Sequence, residues 1–163
     1  MPATTSATIT PCLWFDGEAE TAARHYVGVF DNAAIGAIAR YGENMHRPAG
    51  DVLTVEFVLR GLPFMALNAG PGVEFTDAIS LQVDCSTQAE IDHHWAGLLA
   101  GGGREVQCGW LKDRFGVAWQ VFPTAMNRLR RDGSPEAVHR MMQAMMKMVK
   151  LDLAALEAAF AGK

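Results

Sequence analysis

The stretch ITPCLWFDGEAETAARHYVGVF, residues 9–30, decides the fold, because its pattern returns as ISLQVDCSTQAEIDHHWAGLL at residues 79–99. Three residues align with identical residues 70 positions later: Ile9 with Ile79, Ala19 with Ala89 and Glu20 with Glu90. An internal repeat constrains architecture more firmly than any single motif. The chain is therefore expected to build the same unit twice.

The sequence pattern of each copy predicts a strand, a helix and three further strands. In the first copy these are expected at residues 8–15, 18–30, 34–41, 52–60 and 64–68. In the second copy they are expected at residues 79–85, 88–100, 104–108, 110–112 and 117–122. Helical spacing of apolar residues marks the helices, and alternation of apolar and polar residues marks the strand at 52–60. The fold class is α+β, made of tandem βαβββ modules.

Helix-capping residues support these boundaries. Asp16 is the predicted N-cap of the first helix, and Thr87 with Glu90 forms a capping box before the second. Ser134 followed by Pro135 opens a helical C-terminal segment. We expect a first module at residues 8–72, a second at 77–123 and C-terminal helices at 124–163, all within one domain.

Composition limits the class of function. The 163-residue chain is 50% hydrophobic and 20% charged, with a net charge of −4, and it has no cluster of basic residues suited to nucleic acid. It has no apolar run long enough to span a membrane and no signal-peptide pattern, so we expect a cytoplasmic protein. Cys12, Cys85 and Cys108 lack CxxC spacing and are expected to be free thiols.

Four stretches resemble a known family: PCLWFDG at 11–17, FMALNAGP at 64–71, QCGWLKD at 107–113 and GVAWQ at 116–120. They are similar to the PhnB-like group of the vicinal oxygen chelate superfamily (glyoxalase, bleomycin resistance and dihydroxybiphenyl dioxygenase proteins). The tail segments QAMMKM (143–148) and DLAALE (152–157) are also similar. The resemblance implies the glyoxalase-like fold with a C-terminal helical extension, a pocket inside a curved sheet and usually a homodimer.

The resemblance also locates where a metal would bind. Many members of the superfamily hold one divalent metal with four His or Glu ligands, from the first and fourth strand of each module. The corresponding positions here fall near Pro11, Ala66, Ala78 and Gln120, and none is His or Glu. A divalent metal needs several charged or imidazole ligands. We therefore expect no metal and no other cofactor.

Seven residues are the candidate contacts for a small organic ligand. Asn68 and Gln120 lie at strand ends interpreted as quasi-equivalent; they either contact the ligand or hydrogen-bond each other or the backbone. The aromatic residues are interpreted either as lining an apolar pocket or as core: Trp14, Phe64, Trp110 and Trp119. Cys108 is either a reactive thiol or a buried one.

Glu56 lies in an alternating strand and is interpreted as facing solvent. If its face lines the cavity instead, it is the best carboxylate for proton transfer. The methionines at 141, 142, 145, 146 and 148 indicate a core or dimer-interface helix face.

Two functions remain open. The first is a binding protein that takes up a small organic molecule without the usual metal. The second is a metal-independent enzyme: an isomerase, a lyase, or the 3-demethylubiquinone-9 3-methyltransferase whose name some PhnB-like proteins carry. The only glycine run, Gly101 to Gly103, follows a predicted helix and fits a helix end better than a cradle for a methyl donor. The sequence favours binding.

Overall fold

The computed structural model describes residues 9–163, so the predicted strand start at residue 8 lies outside the described residues. The chain divides into two compact units, Met1–Val73 and Glu74–Lys163. Within residues 9–163, no helix combines the length and the apolar character needed to cross a bilayer.

The first unit is one βαβββ module. Its elements are β1 (Cys12–Phe15), α1 (Ala19–Val29), β2 (Ala33–Arg40), β3 (Val52–Leu59) and β4 (Leu62–Asn68). The four strands form sheet A in the order β1-β4-β3-β2, with β1 parallel to β4 and the other pairs antiparallel.

The second unit repeats this topology. Its elements are β5 (Leu81–Cys85), α2 (Gln88–Leu99), β6 (Arg104–Glu105), β7 (Trp110–Lys112) and β8 (Ala118–Pro123). They form sheet B in the order β5-β8-β7-β6, again with one parallel pair, β5 with β8. The predicted repeat and the α+β class are confirmed.

Three helices complete the second unit: α3 (Ala125–Asp132), α4 (Pro135–Met145) and α5 (Leu153–Ala161). Met126, Met141, Met145, Leu151 and Leu156 form their common buried core, against which Cys108 and Phe122 pack. The methionine-rich face predicted for α4 therefore has a core role.

The two faces of sheet A differ in character, because successive side chains along a strand point to opposite faces. Helix α1 contacts the sheet, and its buried Ala22, Ala23 and Tyr26 lie against one face. The buried strand residues on that helix face are Leu13, Phe15, Val55, Phe57, Leu59, Phe64, Ala66 and Asn68. The opposite side, here called the open face of sheet A, carries Cys12, Trp14, Thr54, Glu56, Val58, Met65 and Leu67.

Two predicted caps are confirmed and one is wrong. The hydroxyl oxygens of Thr87 and Ser134 accept hydrogen bonds from the backbone N–H groups of Glu90 and Ala137. Asp16 does not cap α1, because its carboxylate pairs with Arg47. The capping oxygen comes instead from Asn68.

Candidate functional site

Three neighbouring strands line up side chains across the open face of sheet A. In the register of β1, β4 and β3, Cys12 lies opposite Met65, which lies opposite Glu56. Trp14 lies opposite Leu67, which lies opposite Thr54. These rows are therefore largely apolar, with one carboxylate on the inner strand β3.

A cavity of about 300 Å³ opens beside this carboxylate. Its lining residues are Thr10, Gly36, Glu56, Phe57, Val58, Pro63, Phe64 and Met65. Among the described residues that line it, only Glu56 is ionisable. The volume lies at the lower end of the range for small-molecule pockets.

A β-bulge in β2 makes room next to Glu56. The pairing of β2 with β3 jumps from Ile35–Phe57 to Ile38–Val55, so two residues of β2 lie opposite Glu56. One of them is Gly36, where an added Cβ would lie 3.2 Å from the Glu56 Cβ. Bulges next to functional sites often redirect side chains. Here the glycine leaves the flank of the carboxylate uncovered.

Trp14 and Cys12 form the β1 edge of the open face. The Trp14 side chain is 37% exposed, and its indole N–H donates to the Gly70 carbonyl at 2.8 Å. This hydrogen bond fixes the ring while leaving part of it accessible. Partial burial raises the pKa of the Cys12 thiol, which disfavours the reactive thiolate.

Asn68 lies on the helix face and acts as a structural hub. Its Oδ1 accepts from the backbone N–H groups of Gly17 and Ala19, both at 2.9 Å, and its Nδ2 donates to the Val52 carbonyl at 3.0 Å. It also borders a polar cavity of about 400 Å³ between α1 and the loop that carries Arg47. Any ligand contact by Asn68 would belong to that cavity and not to the open face.

Gln120 lies on the opposite face of its sheet from the α2 side. Its Nε2 donates to the Ser80 hydroxyl at 2.8 Å, and in the register of sheet B it lies between Gln82 and Trp110. Asn68 pairs with Phe15, the last residue of β1, whereas Pro123 pairs with Cys85, the last residue of β5. Asn68 therefore corresponds to Pro123, and the predicted equivalence of Asn68 with Gln120 is wrong.

Three further candidates have mainly structural surroundings. Phe64 is buried on the helix face and stacks on Phe57, with ring centroids 5.2 Å apart. Trp119 is buried, and its indole N–H donates to Asp113 Oδ2 at 2.8 Å. Cys108 packs against the methionine core of the C-terminal helices. The ligand contacts of all seven candidates stay predictions.

The strands that would supply a metal site carry few suitable donors. Ala66 points to the helix face of sheet A, and the open face of β1 and β4 presents a thiol, an indole, a thioether and hydrocarbon groups. On the face of sheet B opposite α2, β5 and β8 present the amides of Gln82 and Gln120 and the carboxylate of Asp84. Across residues 9–163, no three His, Cys, Asp or Glu side chains come together as a metal site. The residues present do not fit the divalent metal that the family resemblance implies.

Sequence reasoning missed two features. Glu56 is exposed, as predicted, but it also borders the cavity. The glycine at position 36, inside a predicted strand, could have indicated a bulge or an open space there. The role of Asp113 was not foreseen either. Its carboxylate accepts hydrogen bonds from the backbone N–H groups of Phe115 and Val117 and from the Trp119 indole, which closes the turn between β7 and β8.

Comparisons with known proteins agree with this architecture. Residues 7–122 match the sequence model of the family described as 3-demethylubiquinone-9 3-methyltransferase. A PhnB protein from Bacillus cereus, provisionally given that same description, has 35% identity and a TM-score of 0.66, with 72% of this chain and 100% of that chain covered. No curated protein matches the chain.

Two other solved structures extend the comparison. A Pseudomonas aeruginosa protein has 25% identity and a TM-score of 0.60, with 72% of this chain and 98% of that chain covered. The fosfomycin resistance protein FosX of Listeria monocytogenes, solved with Mn(II) and sulfate, has 15% identity and a TM-score of 0.52. That alignment covers 77% of this chain and 97% of FosX, and it shows a shared fold alone. The chain thus belongs to the PhnB-like family described as 3-demethylubiquinone-9 3-methyltransferase, and its fold is the glyoxalase/bleomycin resistance-like fold.

Proposed function

We propose that this protein binds a small organic molecule on the open face of sheet A, without a divalent metal. The observation that carries the proposal is the cavity of about 300 Å³ with its largely apolar lining. Val58, Pro63 and Met65 supply apolar surface there, and Thr10 and Glu56 supply polar groups. A mostly apolar pocket with a few polar groups is typical of small-molecule sites.

The donor chemistry supports binding over metal-assisted catalysis. A metal acting as a Lewis acid needs several imidazole or carboxylate ligands. In the described chain, Glu56 lies in a row with Met65 and Cys12, where a thioether separates the carboxylate from the thiol. This set offers apolar contact and one charge, which suits recognition of an organic molecule.

The methyl transfer named in the family description has little support from the loops. A methyl-donor cofactor is normally held by a glycine-rich turn from a strand into a helix. The turn from β1 into α1 contains Gly17, whose N–H is already bonded to Asn68. Gly101 and Gly102 follow α2 and have positive φ angles, as expected at a helix C-terminus.

The proposal is tested with 1-naphthylmethanol, a neutral probe with a flat apolar body. Binding is measured by calorimetry. Met65→Glu places a second carboxylate beside Glu56 and is expected to weaken binding at least about tenfold. Leu62→Glu makes the same kind of change at an exposed strand end and should leave binding unchanged.

Two results would overturn this proposal. One is that the native chain binds neither 1-naphthylmethanol nor a charged probe with the same ring system. The other is an equal loss of affinity in the Met65→Glu and Leu62→Glu variants. Recovery of a chemically altered probe would transfer the assignment to the metal-independent enzyme, with Glu56 as the proton acceptor.

A further inference from the structure

Among residues 9–163, the Glu56 carboxylate has no protein partner. In the part of the chain that the structure describes, no hydrogen bond or ion pair engages its side chain. Its flanking residues in the sheet are neutral: Met65 on β4, Gly36 on β2, and Thr54 and Val58 along β3. Within this part of the chain, nothing but solvent offsets the charge.

The cavity beside Glu56 gives a ligand direct access to this charge. Gly36 carries no side chain at the bulge, and the φ angle of Gly36 lies outside the positive region, so the position does not require glycine for its backbone. A Cβ there would approach the Glu56 Cβ and carbonyl oxygen to 3.2 Å. The glycine thus keeps open the space through which a ligand atom reaches the carboxylate.

An apolar ligand that fills this cavity removes water from the carboxylate. Covering an ionised carboxylate without a compensating partner is costly, whereas a charge-assisted hydrogen bond restores the lost solvation. The site is therefore expected to disfavour two classes of ligand. A neutral molecule leaves the Glu56 charge without an opposite charge, and an anion is repelled by it. A molecule with an apolar body and a protonated nitrogen matches both the apolar lining of the cavity and the negative charge of Glu56.

We propose that the ligand class of this site is a small apolar molecule that bears a protonated amine, with the amine donating a hydrogen bond to the Glu56 carboxylate. This inference rests on the proposed function and specifies its ligand. The apolar body would lie against Met65, Val58 and Pro63.

Three probes that share one ring system test the charge preference: 1-naphthylmethylamine, 1-naphthylmethanol and 1-naphthylacetate. Affinities for the full chain are measured by calorimetry near neutral pH at low ionic strength. We expect the amine to bind at least about tenfold more tightly than the alcohol, and the acetate to bind most weakly. Added salt should reduce the preference, because Glu56 is exposed to solvent.

Matched variants assign the preference to one residue. Glu56→Gln should equalise the amine and the alcohol while leaving the affinity for the alcohol within about threefold. Glu43→Gln makes the same change of charge in an exposed loop of the same unit and should keep the full preference. Since both side chains are exposed, neither variant is expected to affect folding.

The outcomes separate the two proposals. Equal binding of amine and alcohol by the native chain would overturn the amine inference and leave the proposed function intact. Failure of all three probes to bind would defeat the proposed function itself. If probe affinity falls as a dimer forms with rising protein concentration, a second copy covers this face, and both the proposed function and the amine inference are wrong.

Discussion

The side-chain oxygen of Asn68 accepts a hydrogen bond from the backbone N–H of Ala19 at 2.9 Å, so a strand residue 49 positions away caps helix α1. The same oxygen accepts from Gly17, and the amide nitrogen donates to Val52. With 3% of its surface exposed, Asn68 ties β1, α1, β3 and β4 together. This amide is the polar centre of the first unit.

Asn68→Ala is expected to lower the free energy of unfolding by about 2–3 kcal/mol, because it removes a helix cap and leaves buried backbone groups unpaired. Asn68→Asp should cost less, since a carboxylate still accepts from both N–H groups near the helix N-terminus. Urea denaturation measures both. Asn127→Ala removes an exposed amide and serves as the control. If Asn68→Ala lowers the free energy of unfolding no more than Asn127→Ala does, Asn68 is not a structural hub.

The Asn68 cap explains where prediction from sequence stopped. Local patterns identified Thr87 and Ser134 correctly, because those capping oxygens lie three residues before the N–H groups they bond. Asp16 had the same local signature, but Arg47 pairs with it from a distant loop. Tertiary contacts therefore decide that the Asn68 oxygen, and not the Asp16 oxygen, caps helix α1. A local sequence pattern does not contain those contacts.

The faces of the strands were the harder part of the site. Element order followed from the repeat, but a one-residue difference in register moves a side chain to the other face of a sheet. Strand β4 has apolar residues on both faces, so its sequence does not alternate and does not indicate which face Asn68 occupies. The sequence-based equivalence of Asn68 with Gln120 was wrong for this reason. The bulge at Gly36, which opens the cavity beside Glu56, depends on pairing with β3 and was equally invisible.

A second buried polar centre lies in the turn between β7 and β8. Asp113 is 4% exposed, and it accepts from Phe115, Val117 and Trp119 at 2.8 to 3.0 Å. Asp113→Ala should lower the free energy of unfolding by about 3 kcal/mol, because it removes the acceptor of three hydrogen-bond donors. Asp113→Asn should cost less, since one amide oxygen still serves the two backbone donors.

The Asp113 effect is measured by urea unfolding and partitioned by a double-mutant cycle with Trp119→Phe. We expect the two substitutions to be less costly together than the sum of their separate effects, because each one removes the same hydrogen bond. Asp77→Ala, at an exposed ion pair with Lys112, is the matched control. Strict additivity would argue against the Asp113–Trp119 bond.

The Cys12 thiol provides a chemical probe of the open face. Partial burial raises its pKa, so less thiolate is present at any given pH and alkylation should be slow. We expect iodoacetamide to modify Cys12 in the folded chain more slowly than in the unfolded chain near pH 8, with the difference narrowing at higher pH. Peptide mass spectrometry follows the reaction, and equal rates in both states would mean that folding does not raise the pKa of this thiol.

Helix α2 holds the segment before α5 through polar contacts within the second unit. Lys150 Nζ lies 2.5 Å from Asp92 Oδ1. Gln88 accepts from the Leu153 N–H at 2.9 Å and also donates to Asp92 at 3.1 Å. The hydrogen bond from Lys150, with a second from Gln88, lowers the pKa of the Asp92 carboxyl group.

This shift gives a pH dependence with a defined sign. A pKa lowered by folding means that the stabilisation by Asp92 is complete above the ordinary carboxyl range and is lost as pH falls through the lowered value. Asp92→Asn should therefore lower the melting temperature at neutral pH, with the gap from the native chain closing in acid and in high salt. Glu157→Gln, at an exposed position of α5, should show no such closing gap. A deficit for Asp92→Asn that stays constant from neutral to strongly acidic pH would mean that the ion pair contributes nothing, because only the ionised carboxylate can attract Lys150.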